Sequence, residues 1–524
     1  MPRRDPRRRR EPPRPRPRAR LRGGLPIASL ARASTLTLAA FAAAAVLDYA
    51  FAAAMSWLLP PQEYGVLSVS MTYFLLLSFF VASGFPMSLA KFLSEEPTPP
   101  RGLVRFAMLG NVVAAATVVA LFLGLTFYGP LSPGPGYGRL VLAVAASVLL
   151  LAVGSTLQFA LQGRMRFQAF ALLHASKSAN KLLAGAALVA LGLGATGAVG
   201  GLVLGGAFLV VASLLALRKA GEDPRAGADL TREQKRRFLR YTAAVFAGSF
   251  ALTLLMSVDL LAVKYLTPRA ESDVVAAGYQ AATLLTKAPL WAVLAALSVL
   301  FPLLSRAARR DPREAARLLR RALRWTLLLL APASLVLLAF PDLALGVAFP
   351  AHYASAAGTL AASAPGMAAL ALCLVLTRAL QATGHARAPG AYLAVSVALQ
   401  AALLAVLVPR HGSVGAAWAT TVACAFGAAL AFRACAGPFR LRVRARDATA
   451  LAASLALLVA VVWALRPEDG SRVGALLALA AGGAAYVAAV ALLGLVTRGE
   501  LRAVLRRLPL ADRFAPPAAP EADA

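Results

Sequence analysis

The chain has 524 residues, of which 59% are hydrophobic and only 15% charged, and its mean hydropathy is +0.69. A water-soluble protein of this length needs more polar surface, and runs such as VRFAMLGNVVAAATVVALFLGLTF lack the alternation of barrel strands, so composition excludes both classes. The net charge of +31 comes from basic residues in a tail and in loops, which argues against nucleic-acid binding. Cys373, Cys424 and Cys435 are isolated, and we expect neither a disulfide nor a metal site.

Residues 1–26 are rich in Arg and Pro and too polar to pack, so we expect a disordered cytoplasmic tail. A signal peptide is the alternative, because an apolar stretch follows the tail. That stretch continues to about Leu59, whereas the apolar region of a signal peptide has about 7–15 residues. We therefore interpret the stretch as an uncleaved first helix.

Apolar windows of roughly the length that crosses a bilayer follow one another along the chain. They predict an all-α polytopic membrane protein with about 14 transmembrane helices, at residues 35–59, 65–90, 103–128, 139–160, 169–192, 196–217, 241–263, 275–304, 325–348, 355–380, 388–408, 413–432, 448–465 and 473–496.

The distribution of Lys and Arg predicts the orientation of these helices. With the N-terminus inside, 44 of the 54 basic residues fall in inner tails and loops, 6 in outer loops and 4 within the windows. Cytoplasmic loops of membrane proteins carry such an excess. We therefore expect a membrane location with both termini in the cytoplasm.

Two inner segments carry helix signals of their own beside the expected basic linker at 218–240. Asp311-Pro312-Arg313-Glu314 resembles a helix start before AARLLRRALRW. Residues 497–524 begin with a capping-box pattern, Thr497-x-x-Glu500, before LRAVLRRL, and predict an amphipathic helix and a tail. Basic amphipathic helices usually lie along an anionic membrane surface, so anionic lipids are expected partners.

An internal repeat divides the chain. The sequence Ala160-Leu161-Gln162-Gly163 recurs as Ala379-Leu380-Gln381-Ala382, Gly197-Ala198 recurs as Gly415-Ala416, and Phe85-Pro86 recurs as Phe301-Pro302. The pairs keep their order, spacing and place in the topology. They predict two six-helix halves, at 27–217 and 241–434, followed by two extra helices at 448–496.

Charged residues inside the windows are the candidate functional residues, because a charge at mid-bilayer costs about 2.5–3.5 kcal/mol on insertion scales. Lys177 and Lys181 share a helix face beside Asn180, and Lys287 lies near the middle of the eighth window. We expect them to line a cationic, substrate-binding cavity; structural pairing or snorkelling is the alternative. Arg378 joins this candidate set, although it lies near the inner end of its window, where snorkelling is easy.

Two carboxylates and two prolines occupy comparable places in the two halves. Asp48 and Asp259 are candidates either for pairing with a lysine or for coupling transport to an ion gradient through protonation. Pro86 and Pro302 are candidate hinges, with ordinary helix-packing prolines as the alternative.

Motifs near the helix ends resemble a known family. Pro61-Gln62-Glu63-Tyr64-Gly65, the segment Gln162-Gly163-Arg164-Met165-Arg166 and Gln381-Ala382-Thr383-Gly384 are similar to motifs of Wzx-type polysaccharide and oligosaccharide flippases. These belong to the MOP (multidrug/oligosaccharidyl-lipid/polysaccharide) superfamily, whose fold is MATE-like. The resemblance covers residues 27–500. The chain lacks the arginine-rich first-helix signature associated with lipid II flippases.

The resemblance implies a flippase that moves a polyprenyl-diphosphate-linked oligosaccharide to the outer leaflet by alternating access. It implies no cofactor, coupling to an H⁺ or Na⁺ gradient, and a glycan polymerase or glycosyltransferases as partners. Lipid II flipping and drug/cation antiport are the alternatives within the superfamily. A membrane glycosyltransferase or polymerase is a further alternative, disfavoured because the outer loops are short and carry no cluster of acids, His or Arg.

Overall fold

The computed structural model describes residues 27–95, 102–129, 134, 137–219, 230–383, 387–439, 441, 445–467 and 471–496. The predicted tail at 1–26, the predicted amphipathic helix at 497–524 and residues 220–229 of the predicted linker lie outside the described residues. The described residues form α-helices, which we number α1 Ile27–Leu58, α2 Pro61–Ala82, α3 Phe85–Glu95, α4 Leu103–Phe127, α5 Gly138–Gly163, α6 Phe167–Leu188, α7 Gly194–Lys219, α8 Arg232–Leu255, α9 Val258–Leu266, α10 Ser272–Arg310, α11 Pro312–Ala339, α12 Pro341–Ala348, α13 Ala357–Ala382, α14 Arg387–Phe439, α15 Ala445–Ala464 and α16 Arg472–Leu492.

Every predicted apolar window is helical in the structure, which confirms the all-α polytopic fold; the windows 65–90, 241–263 and 325–348 each cover two consecutive helices. Ten stretches of the described chain are long and apolar enough to cross a membrane. Two of them, Phe167–Lys219 and Ala388–Phe439, contain two crossings each, joined at glycines with positive φ. The paired helices α8–α9 and the helix α10 complete the bundle.

The predicted repeat is visible in the backbone. Helices α5 and α13 have 26 residues each, and their ends correspond at an offset of 219. Gly194 has φ 53° and ψ −145°, and Gly412, in the equivalent junction, has φ 55° and ψ −135°. Since positive φ strains other residues, glycine is required at both junctions. This geometry supports the two six-helix halves, with α15 and α16 packed against α11 and α12 of the second half.

The start of α8 and the extent of α11 differ from the sequence-based boundaries. Helix α8 begins at Arg232 because Thr231 and Gln234 form a capping box, so residues 232–240 of the predicted linker are helical. Asp311 accepts a hydrogen bond from the backbone N–H of Arg313 at 2.8 Å and starts α11, as its sequence pattern indicates. The segment that follows is not a separate surface helix, because no helix breaker separates it from the membrane crossing and α11 continues to Ala339.

The two halves touch at both ends of the bundle. We call the end that carries the Lys- and Arg-rich loops the basic side and the other end the opposite side. On the basic side α3 contacts α8, where Ser88 and Thr242 are hydrogen-bonded at 3.0 Å and Phe238 packs on Phe92. On the opposite side α2 contacts α9 and α10, and the hydroxyls of Tyr73 and Tyr265 are hydrogen-bonded.

Candidate substrate-binding site

The main polar cluster of the first half lies between α1 and α6. Lys181 Nζ donates to Asp48 Oδ1 at 2.6 Å, and the same ammonium lies 4.7 Å from the centre of the Phe51 ring. The lysine side chain is 15% exposed and the carboxylate 50% exposed. The pair therefore borders an open space and is not enclosed in the core, so a ligand can reach it.

Lys177 lies one helical turn before Lys181, on the same side of α6. Among the described residues no acceptor forms a hydrogen bond with its ammonium, and Asp48 is the one carboxylate that acts on it electrostatically. Since Asp48 is already bound to Lys181, the three groups carry a net charge of +1. The buried side-chain oxygen of Asn180 also has no hydrogen-bond partner among the described residues, whereas the Ser178 hydroxyl acts on Asp48. The cluster thus offers one uncompensated cation and one unpartnered acceptor.

Glycines on α7 determine where the α6 lysines can point. A Cβ on Gly201 would lie 2.7 Å from the carbonyl oxygen of Lys181, and one on Gly205 would lie 3.4 Å from that of Lys177. The backbones of α6 and α7 therefore pack closely along this face. With α7 so near, the side chain of Lys181 extends towards α1, where Asp48 binds it.

The second half contains a related arrangement around Asp259, in which the side-chain hydrogen-bond donors are neutral. This carboxylate is 1% exposed and accepts hydrogen bonds from the Tyr279 hydroxyl at 2.7 Å and the Thr420 hydroxyl at 3.4 Å. Gln400, at the offset of 219 from Lys181, donates to Thr420 at 3.0 Å. The second half therefore places neutral donors where the first half places an ammonium. Asp259 is thus a buried carboxylate held by the hydroxyl groups of Tyr279 and Thr420.

Lys287 serves the second half in a different way. Its Nζ donates to the backbone carbonyl of Met256 at 3.1 Å, at the break between α8 and α9. The last carbonyls of a helix lack intrahelical donors, and a lysine there satisfies one and favours the helix dipole. Lys287 thus lies near the Asp259 cluster and apart from Lys177 and Lys181.

The described hydrogen bond of Arg378 lies outside both clusters, and its place in a cationic cavity stays a prediction. Its side chain is exposed, and Nη1 donates to Gln381 Oε1 at 3.0 Å on the basic side of α13. The candidate hinges also differ from each other. Helix α2 ends at Ala82 and α3 begins at Phe85, so Pro86 follows a real break, whereas α10 runs unbroken through position 302. Gly84 lies in the first break, whereas the equivalent position in α10, at the offset of 216, is Leu300.

Sequence reasoning missed Tyr279, Gln400 and Thr420, although the offset of 219 from Lys181 pointed to Gln400. The motif Pro61–Gly65 also has a structural explanation. Glu63 Oε2 accepts from the backbone N–H of Ala195 at 2.8 Å and caps α7. Gly65 admits α10, because a Cβ there would lie 1.8 Å from the carbonyl oxygen of Asp273. The motif joins the halves on the opposite side.

Two family models match the sequence, each over more than half of its length. The model for polysaccharide biosynthesis proteins matches residues 30–308, and the model for the lipid II flippase MurJ matches residues 170–478. The chain belongs to the flippase group of the MOP superfamily. It is therefore a membrane flippase or transporter. No curated protein matches this MOP flippase in sequence.

Solved structures share the fold of this MOP flippase. The lipid II flippase MurJ in an inward closed conformation has a TM-score of 0.69 at 15% identity and covers 86% of this chain and 98% of its own. An inward-facing MATE multidrug transporter has a TM-score of 0.55 at 12% identity, and the match covers 75% of this chain and 94% of the transporter. A MOP superfamily transporter from Pyrococcus furiosus has a TM-score of 0.51 at 13% identity, and the match covers 79% of this chain and 96% of that transporter. These likenesses confirm the MATE-like architecture.

Proposed function

We propose that this MOP flippase moves a polyprenyl-diphosphate-linked oligosaccharide from the cytoplasmic to the outer leaflet of a bacterial cytoplasmic membrane. The observation that carries the proposal is the cluster of Lys177, Lys181 and Asp48, which has a net charge of +1 beside an open space. A diphosphate supplies the missing negative charge. A sugar hydroxyl group matches the unpartnered side-chain oxygen of Asn180.

The binding step follows from these charges. The diphosphate enters from the basic side, which faces the cytoplasm, and first meets Lys177, the cation without a hydrogen-bonded counterion. It then competes with Asp48 for Lys181. Asp48 loses its counter-ion in this step, which makes it the first candidate for coupling transport to H⁺. Asp259 offers a second coupling site in the other half, for H⁺ or Na⁺.

Translocation uses the two seams between the halves. Opening of the Ser88–Thr242 seam on the basic side admits the headgroup while the polyprenyl chain stays in the lipid. Closure of that seam and opening of the Tyr73–Tyr265 seam then expose the headgroup to the outer side, as alternating access requires. The break before Pro86 lies in α2–α3, the helix pair that contacts the second half at both seams, and is placed to absorb the bend.

Lipid II flipping is the second candidate function. The match to the MurJ family model over residues 170–478 and the structural likeness to MurJ favour it. Lipid II and the oligosaccharide share a polyprenyl diphosphate, so the lysine cluster suits both. Drug/cation antiport is disfavoured, because a cluster of net charge +1 repels a cationic drug. Membrane glycosyltransferase or polymerase chemistry has no supporting residue set, so such enzymes enter this proposal as partners.

Flipping in proteoliposomes tests the proposal with two substrates side by side, a polyprenyl-diphosphate oligosaccharide and lipid II. We expect the wild type to flip the oligosaccharide faster, and Lys177→Gln to slow flipping far more than Lys177→Arg, which keeps the charge. Faster lipid II flipping would establish the second candidate. Equal rates for the two Lys177 variants would refute the role of the cation for either substrate.

The orientation in the membrane needs its own test. Cysteine labelling from outside the cell should leave the segment at 305–324, where α10 ends and α11 begins, unlabelled if the basic side faces the cytoplasm. Labelling of this segment from outside would reverse the proposed direction of transport.

A further inference from the structure

A cleft of about 410 Å³ opens on the basic side between α3, the end of α5 and the turn that follows α5. Its lining residues include none of the Lys177–Lys181–Asp48 cluster, and it lies where α3 and α5 end on the basic side. Its walls are apolar except for Lys91, Ser94 and Gln162. Two apolar lining residues, Met87 and Met165, are 47% and 44% exposed, so the cleft is open at its rim. Such a site suits an amphipathic ligand.

The cleft contains an acceptor without a donor. Gln162 Oε1 is buried, and no described residue donates a hydrogen bond to it. The equivalent residue of the second half is Gln381, at an offset of 219, and its Oε1 accepts from Arg378. The residue equivalent to Arg378 is Phe159, which lines the cleft and has no donor to offer. In the second half Arg378 therefore donates to Gln381, whereas in the first half no arginine stands at the equivalent position to donate to Gln162.

The turn at the edge of the cleft is also unusual. The backbone N–H of Met165 bonds to the carbonyl of Gln162, and that of Arg166 bonds to the carbonyl of Leu161. This is the Schellman pattern, which places Met165 at the position that normally holds glycine. Met165 has φ 59° and is the one non-glycine residue with positive φ in the described part of the chain. The second half has Gly384 at the same offset in its sequence. Methionine costs backbone strain here but adds an apolar wall to the cleft.

Lys91 supplies the positive charge of the cleft. Its Nζ lies 3.7 Å from Glu95 on the same helix and 3.8 Å from the centre of the Tyr241 ring on α8. Neither contact is a short ion pair, so a phosphate that approaches through the cleft offers the ammonium a stronger partner. Tyr241 belongs to the other half, so a ligand that binds Lys91 acts on a residue of the seam on the basic side.

We propose that this cleft binds an anionic phospholipid of the cytoplasmic leaflet whose headgroup carries a free hydroxyl, as phosphatidylglycerol does. The phosphate pairs with Lys91, the headgroup hydroxyl donates to Gln162 Oε1, and the acyl chains leave over Met87 and Phe159. Because the bound phosphate draws Lys91 away from Tyr241, the lipid loosens the seam between α3 and α8. The site is regulatory and distinct from the proposed substrate cluster.

Native mass spectrometry of the delipidated full-length protein tests the proposal directly. The probes are phosphatidylglycerol, phosphatidylmethanol, which has the same charge without the hydroxyl, and zwitterionic phosphatidylethanolamine. We expect phosphatidylglycerol to bind about threefold to tenfold more tightly than phosphatidylmethanol, the factor that one hydrogen bond provides. Gln162→Leu should abolish that preference, and Lys91→Gln should weaken binding of both anionic lipids. Gln381→Leu, at the equivalent place in the other half, is the matched control and should bind as the wild type does.

Phe159→Arg gives the decisive result, because it copies the arrangement of Arg378 and Gln381 into the first half. The introduced guanidinium should donate to Gln162 and fill the cleft, so phosphatidylglycerol binding should fall although the protein gains a positive charge. Increased binding would show general charge attraction and overturn the proposal. Equal binding of the three lipids to the wild type would also overturn it. Unchanged elution volume and unfolding temperature of each variant would show that it is folded.

Discussion

Gly65→Ala tests how the two halves close on the opposite side of the bundle. Gly65 lies on α2 of the first half, and a Cβ added there would meet the carbonyl oxygen of Asp273, on α10 of the second half, at 1.8 Å. A carbon–oxygen contact needs about 3.3 Å, so α2 and α10 must separate by about 1.5 Å at this point. Both contacting groups are close to rigid backbone, so a side-chain rotation cannot relieve the overlap.

The variant should therefore lose the closed seam on the opposite side. Overpacking of this kind costs about 1–3 kcal/mol, which changes the population of a closed state on the order of tenfold or more. Spin labels at Leu58→Cys and Val274→Cys, exposed positions on the two halves, report the separation by electron–electron distance measurement. We expect a longer mean distance in Gly65→Ala and slower lipid flipping.

The matched control is Gly124→Ala in α4, where an added Cβ has nothing within 4 Å. It should leave both the label distance and the flipping rate unchanged. A Gly65→Ala protein with the wild-type distance distribution and wild-type flipping would refute the reasoning, because it would mean that α2 and α10 do not pack as the structure shows.

Three further predictions concern the proposed transport cycle. Lys177→Gln should reduce flipping about tenfold or more while Lys177→Arg keeps most of it, since one charge-assisted contact to the diphosphate is lost; flipping assays in proteoliposomes measure both. Lys181→Gln and Asp48→Asn should each lower thermal stability in detergent, and the double variant should be more stable than additivity predicts by about 0.5–3 kcal/mol, because each single change leaves the other charge without its partner. Additive losses would mean that the pair is not energetically coupled. Ser88→Cys with Thr242→Cys should form a disulfide across the basic-side seam under oxidation, since the two hydroxyl oxygens are 3.0 Å apart. Transport should stop on oxidation and return on reduction, and persistent flipping by the oxidised protein would exclude opening of this seam.

The number and placement of the membrane-crossing helices could be predicted from the amino-acid sequence alone. Crossing a bilayer requires about 20 consecutive apolar residues. This is a local property of the sequence, so it can be counted without knowing which helices pack against each other. The repeat was also readable, because equivalent helix ends keep their spacing: Gln162 and Gln381 lie at an offset of 219 and each falls one residue before the end of its helix, α5 or α13. Local capping signals such as Asp311 predicted a helix start correctly for the same reason.

The pairing of charged residues from different helices could be learned only from how the helices pack. Lys181 and Asp48 are 133 residues apart, and their pairing depends on the rotation of α1 against α6, which depth in the membrane does not reveal. For this reason Asp48 neutralises Lys181, the deepest lysine, and the excess positive charge of the cluster lies on Lys177. Arg378 and Gln381 are three residues apart on one helix, so that pair could have been predicted from spacing alone. The cleft beside Gln162 could not, because it exists only where α3 and α5 pack and one half lacks the arginine of the other.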